Sequence, residues 1–142
     1  MIAINDLRFG NLVTWVEEPE DYPLTISGIL SKEDVFVEWV WQDGEVDNTD
    51  CGLENIRPIN LTNVFLVKNK FSEDNNGHFW LNLQTHYLEL IPMPDGYYPL
   101  YAQLPEMSSE AEQKVGLNKI NYVHQLQNLV YLLTGSEIEV VW

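Results

Sequence analysis

The sequence predicts a single α+β domain: a small curved antiparallel sheet or SH3-like barrel, with one short helix and a C-terminal amphipathic helix. Short apolar stretches separated by turn residues fill positions 1–60, a spacing typical of small β-structures. The period then changes, and two segments within 61–142 carry helical signals. A length of 142 residues suits one domain over 1–142, in which the second part packs on the β-rich first part.

The strand predictions depend on residue type and alternation. The run 35–41 is dense in β-branched and aromatic residues, and 24–30 alternates along its length. After the run 35–41 we expect a turn or loop over 43–52, because that stretch is rich in Asp, Asn and Gly. A further short strand is predicted at 53–59.

Two helices are predicted in the second part. Thr62 is a preferred N-cap residue type, which indicates a short helix over 63–70. Apolar residues recur at helical spacing through 118–133. Gly135 follows at a position where a glycine with left-handed backbone commonly ends a helix.

The other segments of the second part predict strands and loops. The stretch 79–90 indicates one long strand or a hairpin. Four prolines in 92–105 predict a loop, with one edge strand at 97–102. We expect a helical turn or surface loop at 108–115 and a terminal strand at 137–142.

The net charge is strongly negative, with 22 acidic and 7 basic residues and a formal charge of −15. Positions 1–66 alone carry 13 acids and 3 bases. Such a field repels phosphate backbones and anionic membranes and attracts cations. We therefore expect a basic protein as partner, with no direct nucleic acid and no membrane. A purely solubilising role of the charge is the alternative.

The cysteine count and the hydropathy pattern suggest a cytoplasmic protein. Cys51 is the only cysteine, which excludes an internal disulfide framework and suits a reducing compartment. The N-terminal residues show no signal-peptide pattern. The uncharged stretch 120–136 is interrupted by His, Gln and Asn and is too polar to span a bilayer.

That uncharged stretch also presents a polar helical face, made by Asn121, His124, Gln125 and Asn128 with Gln127 at its margin. A solvated helix face normally carries charges, whereas amides and a neutral imidazole suit burial. We expect these side chains to clamp a loop, either the Gly10-Asn11 turn or the proline-rich stretch. The alternatives are a surface for a partner or ligand, and a catalytic site that uses His124.

The acidic loop Asp43, Glu45, Asp47 and Glu54 has the spacing of positions 1, 3, 5 and 12 of a calcium-binding loop. However, Asn48 stands where that loop requires glycine, and a strand rather than a helix precedes it. We therefore interpret these residues as hairpin-loop acids and expect no metal.

The three histidines His78, His86 and His124 lack the short spacings of a zinc site. Cys51 is surrounded by acids, which raise a thiol pKa and weaken it as a nucleophile. No phosphate-binding loop is present either, so we expect no cofactor. Among the aromatic residues, an exposed Trp15 or Trp41 beside acids would indicate a groove for a basic peptide.

Three segments carry a family resemblance: LRFGN at 7–11, RPINLT at 57–62 continuing to Phe71, and YVHQLQNL at 122–129 continuing through Gly135. They resemble a family of small uncharacterised proteins from gut bacteria and their phages or prophages. Its members show LRIGN, PIPLTEEWLLKLGF-like and YVHQLQNLYFALTGEEL-like segments. The resemblance implies an intracellular protein of phage or mobile-element origin and no particular reaction. Lys70 stands where this family has a glycine just past the short helix.

Together these observations predict a non-enzymatic protein-binding or adaptor module. A phage-type inhibitor that imitates the charge of nucleic acid is one form of this hypothesis. The alternatives are a His-containing metal-dependent or hydrolytic enzyme and a structural component of an assembly. The sequence specifies no oligomeric state.

Overall fold

The computed structural model describes residues 2–19, 22–104 and 114–142. These residues form two five-stranded antiparallel sheets and two α-helices, which confirms the mixed α+β class. Each sheet has two edge strands and neither closes, so the expected single sheet or barrel is replaced by two open sheets.

The chain divides into two compact units. Unit 1 contains Met1–Asn60 and Tyr122–Ile138, and unit 2 contains Leu61–Asn121 and Glu139–Trp142. Each unit therefore owns one sheet and one helix. The expectation of a single domain over 1–142 stays a prediction.

The first sheet has the strand order β4-β3-β2-β1-β5 and the second β10-β9-β8-β7-β6. The strands of the first sheet are β1 (Leu12–Trp15), β2 (Leu24–Ile29), β3 (Asp34–Val40), β4 (Val46–Gly52) and β5 (Ile56–Pro58). The remaining elements are α1 (Asn63–Lys68), β6 (Ser72–Glu73), β7 (Phe79–Leu83), β8 (His86–Met93), β9 (Gly96–Gln103), β10 (Lys114–Gly116) and α2 (Val123–Thr134).

The core of unit 1 is made by alternating apolar residues of its sheet. Alternation places every second side chain on one face, and on that face Leu24 and Ile26 of β2 and Val35 and Val37 of β3 are buried. The core members include Val13, Ile26, Val35, Val37 and Ile56. The predicted strand at 53–59 is shorter than expected, because a 3₁₀ turn at Leu53–Asn55 takes its first residues.

Strand β4 corrects the expectation of a loop over 43–52. Its sequence, VDNTDCG, has little intrinsic preference for a strand. Seven consecutive residue pairs nevertheless join it to β3, from Asp34↔Gly52 to Val40↔Val46. Cross-strand hydrogen bonding thus overrides local propensity, and only 41–45 remain as the turn.

Unit 2 forms a hairpin and a meander in place of the expected long strand and proline-rich loop. Gln84 has a positive φ of 62° in the turn between β7 and β8. Strand β9, predicted at an edge, has β8 on one side and β10 on the other. Pro99 is tolerated there although it lacks an N–H to donate to the ladder. Of the predicted turn at 108–115, residues 108–113 lie outside the described residues, and Lys114 begins β10.

Helix α1 begins and ends through local capping. The Thr62 side chain accepts a hydrogen bond from the Phe65 N–H at 3.2 Å, which confirms the N-cap. At the other end, the Phe71 N–H donates to the Leu66 carbonyl at 3.1 Å, the longer bond of a Schellman motif. Lys70 supplies the left-handed residue of this motif, with φ of 71°.

Helix α2 begins at Val123, later than predicted. Before the helix, Ile120 forms a β-bridge with Tyr97 inside unit 2, in which the two residues exchange N–H···O=C bonds of 2.8 and 2.9 Å. Gly135 ends the helix with φ of 72°, as expected. The predicted terminal strand at 137–142 is wrong, because those residues join no sheet.

Candidate functional site

The polar face of α2 holds the Gly10-Asn11 turn inside unit 1. Buried Gln127 accepts a bond from the Leu12 N–H at 2.8 Å and donates to the Gly10 carbonyl at 2.9 Å. Asn128 accepts from the Asn11 side chain at 2.8 Å. An amide offers both a donor and an acceptor, so one uncharged side chain satisfies two backbone groups without burying an ion.

Arg8 extends this clamp at the exposed end of the turn. Its guanidinium lies 4.1 Å from the centre of the Tyr131 ring and donates from Nε to the Asn128 amide oxygen at 3.2 Å. Two further N–H groups bond the Glu137 carboxylate. Sequence reasoning missed this role, because Tyr131 and Glu137 lie more than 120 positions from Arg8.

The other residues of the predicted face have separate environments, and Asn121 lies before the first residue of α2. The Gln125 side chain accepts from the Tyr122 N–H at 3.1 Å and so caps its own helix. His124 is buried and stacks on the Tyr122 ring with centroids 5.8 Å apart. Among the described residues its Nδ1 has no hydrogen-bond partner. Burial lowers the pKa of His124 below its ordinary 6.5, and Asp6 opposes this shift.

The four acidic-loop residues are all exposed and do not converge. Asp43 and Glu45 lie in the β3–β4 turn, where the Asp43 carboxylate accepts from the Glu45 N–H at 2.9 Å. Asp47 lies in β4, and Glu54 lies in the 3₁₀ turn after it. Among the described residues, no three His, Cys, Asp or Glu side chains form a group that could hold a metal ion.

A row of three tryptophans runs beside these acids. Trp15 and Trp39 meet edge to face with ring centroids 6.1 Å apart, and Trp39 and Trp41 do so at 6.0 Å. The first two are half-buried, whereas Trp41 is 54% exposed. The Trp41 indole N–H donates to the Asp47 carboxylate at 3.4 Å. An aromatic face and carboxylates therefore meet at this end of the sheet.

The neighbouring strand β4 is an edge strand whose backbone is partly capped. Paired residues in an antiparallel ladder alternate between bonded and non-bonded types. The Trp41 N–H donates to the Glu45 carbonyl, so this pair is of the bonded type. Counting along the ladder, Asn48 and Asp50 fall in non-bonded pairs, and their backbone groups point away from β3. The Asn48 N–H bonds the Asp47 side chain at 2.9 Å, and the Asp50 carbonyl accepts from the Thr49 hydroxyl at 3.2 Å.

Unit 2 contains a buried carboxylate that sequence reasoning missed. Glu89 lies in β8, the middle strand of its sheet, and is 3% exposed. Its Oε1 lies 3.1 Å from Nδ1 of His78, and among the described residues its Oε2 has no partner. The available signal was a glutamate at the centre of the apolar run 87–91.

Aromatic side chains adjoin this pair. Trp80 is directly opposite Glu89 in the β7–β8 ladder, so their side chains share a face of the sheet. The Trp80 and Tyr87 rings have centroids 4.9 Å apart, and the Lys114 ammonium lies 5.8 Å from the Trp80 ring. The Trp80 indole donates to Asp74 at 2.7 Å.

His86 and Cys51 contribute to neither arrangement. His86 stacks on Tyr101 at 4.8 Å, and its Nδ1 lies 2.8 Å from the Thr85 hydroxyl. Burial, with Asp50 and other acids, raises the pKa of the half-buried Cys51 thiol. A thiol with a raised pKa is a poor nucleophile at neutral pH.

No helix among the described residues has both the length and the hydropathy required to cross a membrane. In comparisons with known proteins, no family model, no curated protein and no solved structure matches the chain. The function is therefore inferred from the chemistry of the two sites themselves.

Proposed function

We propose that the chain is a non-enzymatic protein-binding module that holds a basic segment of a partner on the β3–β4 hairpin of unit 1. The observation that carries this proposal is the exposed Trp41 beside Asp47. Tryptophan is enriched at interface hot spots, and its ring attracts cations. An exposed indole next to a carboxylate suits a basic side chain.

The charge of the hairpin supports a basic partner. Residues 33–54 contain eight acidic residues and no Lys, Arg or His: Glu33, Asp34, Glu38, Asp43, Glu45, Asp47, Asp50 and Glu54. Such a surface accelerates association with a positive partner and repels a negative one. A second copy of the chain is disfavoured as the occupant, because its hairpin carries the same charge.

The partner is bound by side chains rather than by strand addition. A guest strand would pair with the outward backbone groups of β4. The Asn48 N–H and the Asp50 carbonyl already bond the side chains of Asp47 and Thr49. Acidic residues and capped groups are devices that protect an edge strand from pairing.

A cytoplasmic location and a phage or mobile-element origin belong to the same proposal. The single Cys51 suits a reducing compartment, and the three segments that resemble phage-associated proteins suggest the origin. An inhibitor that imitates the charge of nucleic acid would present its acids as this hairpin does. Its target would be a protein that normally binds nucleic acid.

The test is calorimetric titration of the full chain with a Lys/Arg-rich peptide at low and high salt. We expect binding that weakens about tenfold or more as salt rises, since the attraction is between exposed charges. The double variant Asp43→Asn/Glu45→Gln should weaken binding several-fold. The matched control Glu73→Gln/Glu139→Gln removes the same charge from exposed positions of unit 2 and should change it little.

Two results would contradict the proposal. One is an affinity that does not change with salt. The other is equal loss of affinity in both double variants, since that would show a response to net charge rather than to the hairpin.

A second candidate function is hydrolysis of a small molecule at His78. A buried carboxylate that holds one imidazole nitrogen leaves the other free to accept a proton, as a general base requires. Glu89 holds Nδ1 of His78 in this way, while the His78 side chain is 28% exposed. Hydrolysis of an activated ester that disappears in His78→Gln but persists in His86→Gln would support it. Equal rates in all three proteins would exclude it for that substrate class.

A further inference from the structure

Within unit 1, the Arg8 side chain is bound by an aromatic ring and a carboxylate. The guanidinium lies over the Tyr131 ring at 4.1 Å, and two of its N–H groups bond the Glu137 carboxylate. The planar cation therefore has an aromatic ring against its face and a carboxylate at its edge. These are the two contacts that arginine makes better than lysine, because a guanidinium is flat and bidentate.

Trp41 and Asp47 provide the same two groups on the surface. Trp41 is 54% exposed, and among the described residues neither an arginine nor a lysine lies over its ring. Asp47 sits at the edge of the indole, with its Oδ2 on the Trp41 N–H. The pair thus resembles the Tyr131–Glu137 arrangement without its cation.

The orientation of both groups is set by the sheet. Trp39 packs edge to face against Trp41 with an interplanar angle of 77°, which supports one side of the indole. The Asp47 Oδ1 accepts from the Asn48 N–H at 2.9 Å, which restrains the carboxylate. A site whose groups are already held in place loses less entropy when it binds.

We propose that Trp41 and Asp47 bind an arginine side chain of the basic partner in preference to lysine. This inference rests on the proposed function and names the residue that the hairpin selects. The guanidinium stacks on the indole, and its N–H groups reach Asp47 or the neighbouring turn acids Asp43 and Glu45. A lysine ammonium is more strongly hydrated and cannot stack, so it gains less at an exposed ring.

The test compares two peptides of the same length and charge that differ at four positions only, which are arginine in one peptide and lysine in the other. Their dissociation constants for the full chain are measured by calorimetry at one low salt concentration. We expect the arginine peptide to bind about fivefold more tightly, of the order expected for one exposed stacked contact. The variant Trp41→Leu should reduce this ratio to near one.

Two further variants make the result specific. Tyr22→Leu removes another aromatic ring of unit 1 that is 56% exposed, and it should leave the ratio unchanged. Trp41→Tyr keeps a smaller ring and should retain part of the preference. Near-ultraviolet circular dichroism confirms that each variant is folded.

The outcomes separate this inference from the function beneath it. Equal affinity for the two peptides, with salt-sensitive binding intact, overturns the arginine preference and leaves the proposed function standing. A preference that survives Trp41→Leu also overturns the inference. If neither peptide binds at low salt, the proposed function fails and the arginine site fails with it.

Discussion

The two units bury different kinds of polar side chain. Among the described residues of unit 1, the buried polar side chains are Asn11, Thr14, His124 and Gln127. Burial lowers the pKa of His124. Unit 2 buries Asn69 and also the carboxylate Glu89. Amides in both units hold irregular backbone, but among the described residues the buried acidic side chain, Glu89, belongs to the sheet of unit 2.

The two units also differ in net charge. Unit 1 has 14 acidic and 3 basic residues, whereas unit 2 has 8 and 4. Unit 1 therefore carries most of the negative field and the exposed Trp41, which suits binding of a charged surface. Unit 2 carries the buried carboxylate Glu89. The total charge of a chain therefore does not specify where on the molecule a charged partner would bind.

The largest expected effect comes from removing the half-buried His78, the partner of the buried Glu89 in unit 2. His78→Ala should lower the free energy of unfolding by about 3 kcal/mol, because it leaves the buried Glu89 carboxylate without its partner. The measurement is urea unfolding followed by circular dichroism. His86→Ala is the matched control and should change stability much less. If the two variants lose equal stability, the pair has no special role.

Breaking the clamp of unit 1 should have the next largest effect. Gln127→Ala leaves the Leu12 N–H and the Gly10 carbonyl without their partner and should lower stability by about 2 kcal/mol. Leu132→Ala, on the same helix but 80% exposed, should change it by less than about 0.5 kcal/mol. A Gln127→Ala variant as stable as the wild type would show that water replaces the clamp.

The burial of His124 in unit 1 predicts that the free energy of unfolding depends on pH. Because burial lowers the pKa of folded His124 below 6.5, the unfolded chain binds the proton more tightly than the folded chain. Stability from this group is fully present above pH 6.5. It falls by about 1.4 kcal/mol per pH unit below 6.5, until the folded pKa is reached.

The measurement is unfolding free energy between pH 7.5 and 5 for the wild type and for His124→Phe. These buffer values are on the order of one unit either side of the free imidazole pKa. The variant keeps a ring against Tyr122 but has no imidazole to titrate. The free energy of unfolding should therefore fall more for the wild type than for the variant as pH is lowered. Parallel curves would contradict a neutral buried His124.

The smallest expected effect concerns the ends of the two helices. Helix α2 ends with Gly135 at φ 72°, whereas α1 is followed by Lys70 at φ 71°. A side chain in left-handed backbone costs about 1 kcal/mol, so Lys70→Gly should stabilise the protein by about that amount. Lys68→Gly, at the last residue of α1, should instead destabilise it by up to a similar amount. The measurement is the thermal midpoint, and a lower midpoint for Lys70→Gly would contradict the prediction.

Local signals predicted the fold better than the site. Thr62 as N-cap, Gly135 at the end of α2 and the strand after Asp34 follow from residue type and spacing. The amides of α2 were singled out because they lack charge in an acidic chain. The turn that they hold was one of two predicted targets, since sequence spacing does not report which loop lies beside a helix.

Contacts between distant positions account for the failures. Strand β4 forms from Asp- and Asn-rich sequence because β3 offers it seven paired residues. The terminal residues form no strand because the Asn69 side chain bonds both backbone groups of Val141, at 2.6 and 3.1 Å. Glu89 in β8 meets His78, the residue before β7, and neither residue type alone indicates the other.

The α+β class, the helix caps, the surplus of acids and the uncharged face of α2 were predictable from residue types and from spacing within a few turns of chain. Three features could be read only from the folded chain: the two open sheets, the exposed Trp41 beside Asp47 and the buried Glu89 beside His78. Those facts depend on cross-strand register and burial, which arise when distant segments pair and water is excluded between them.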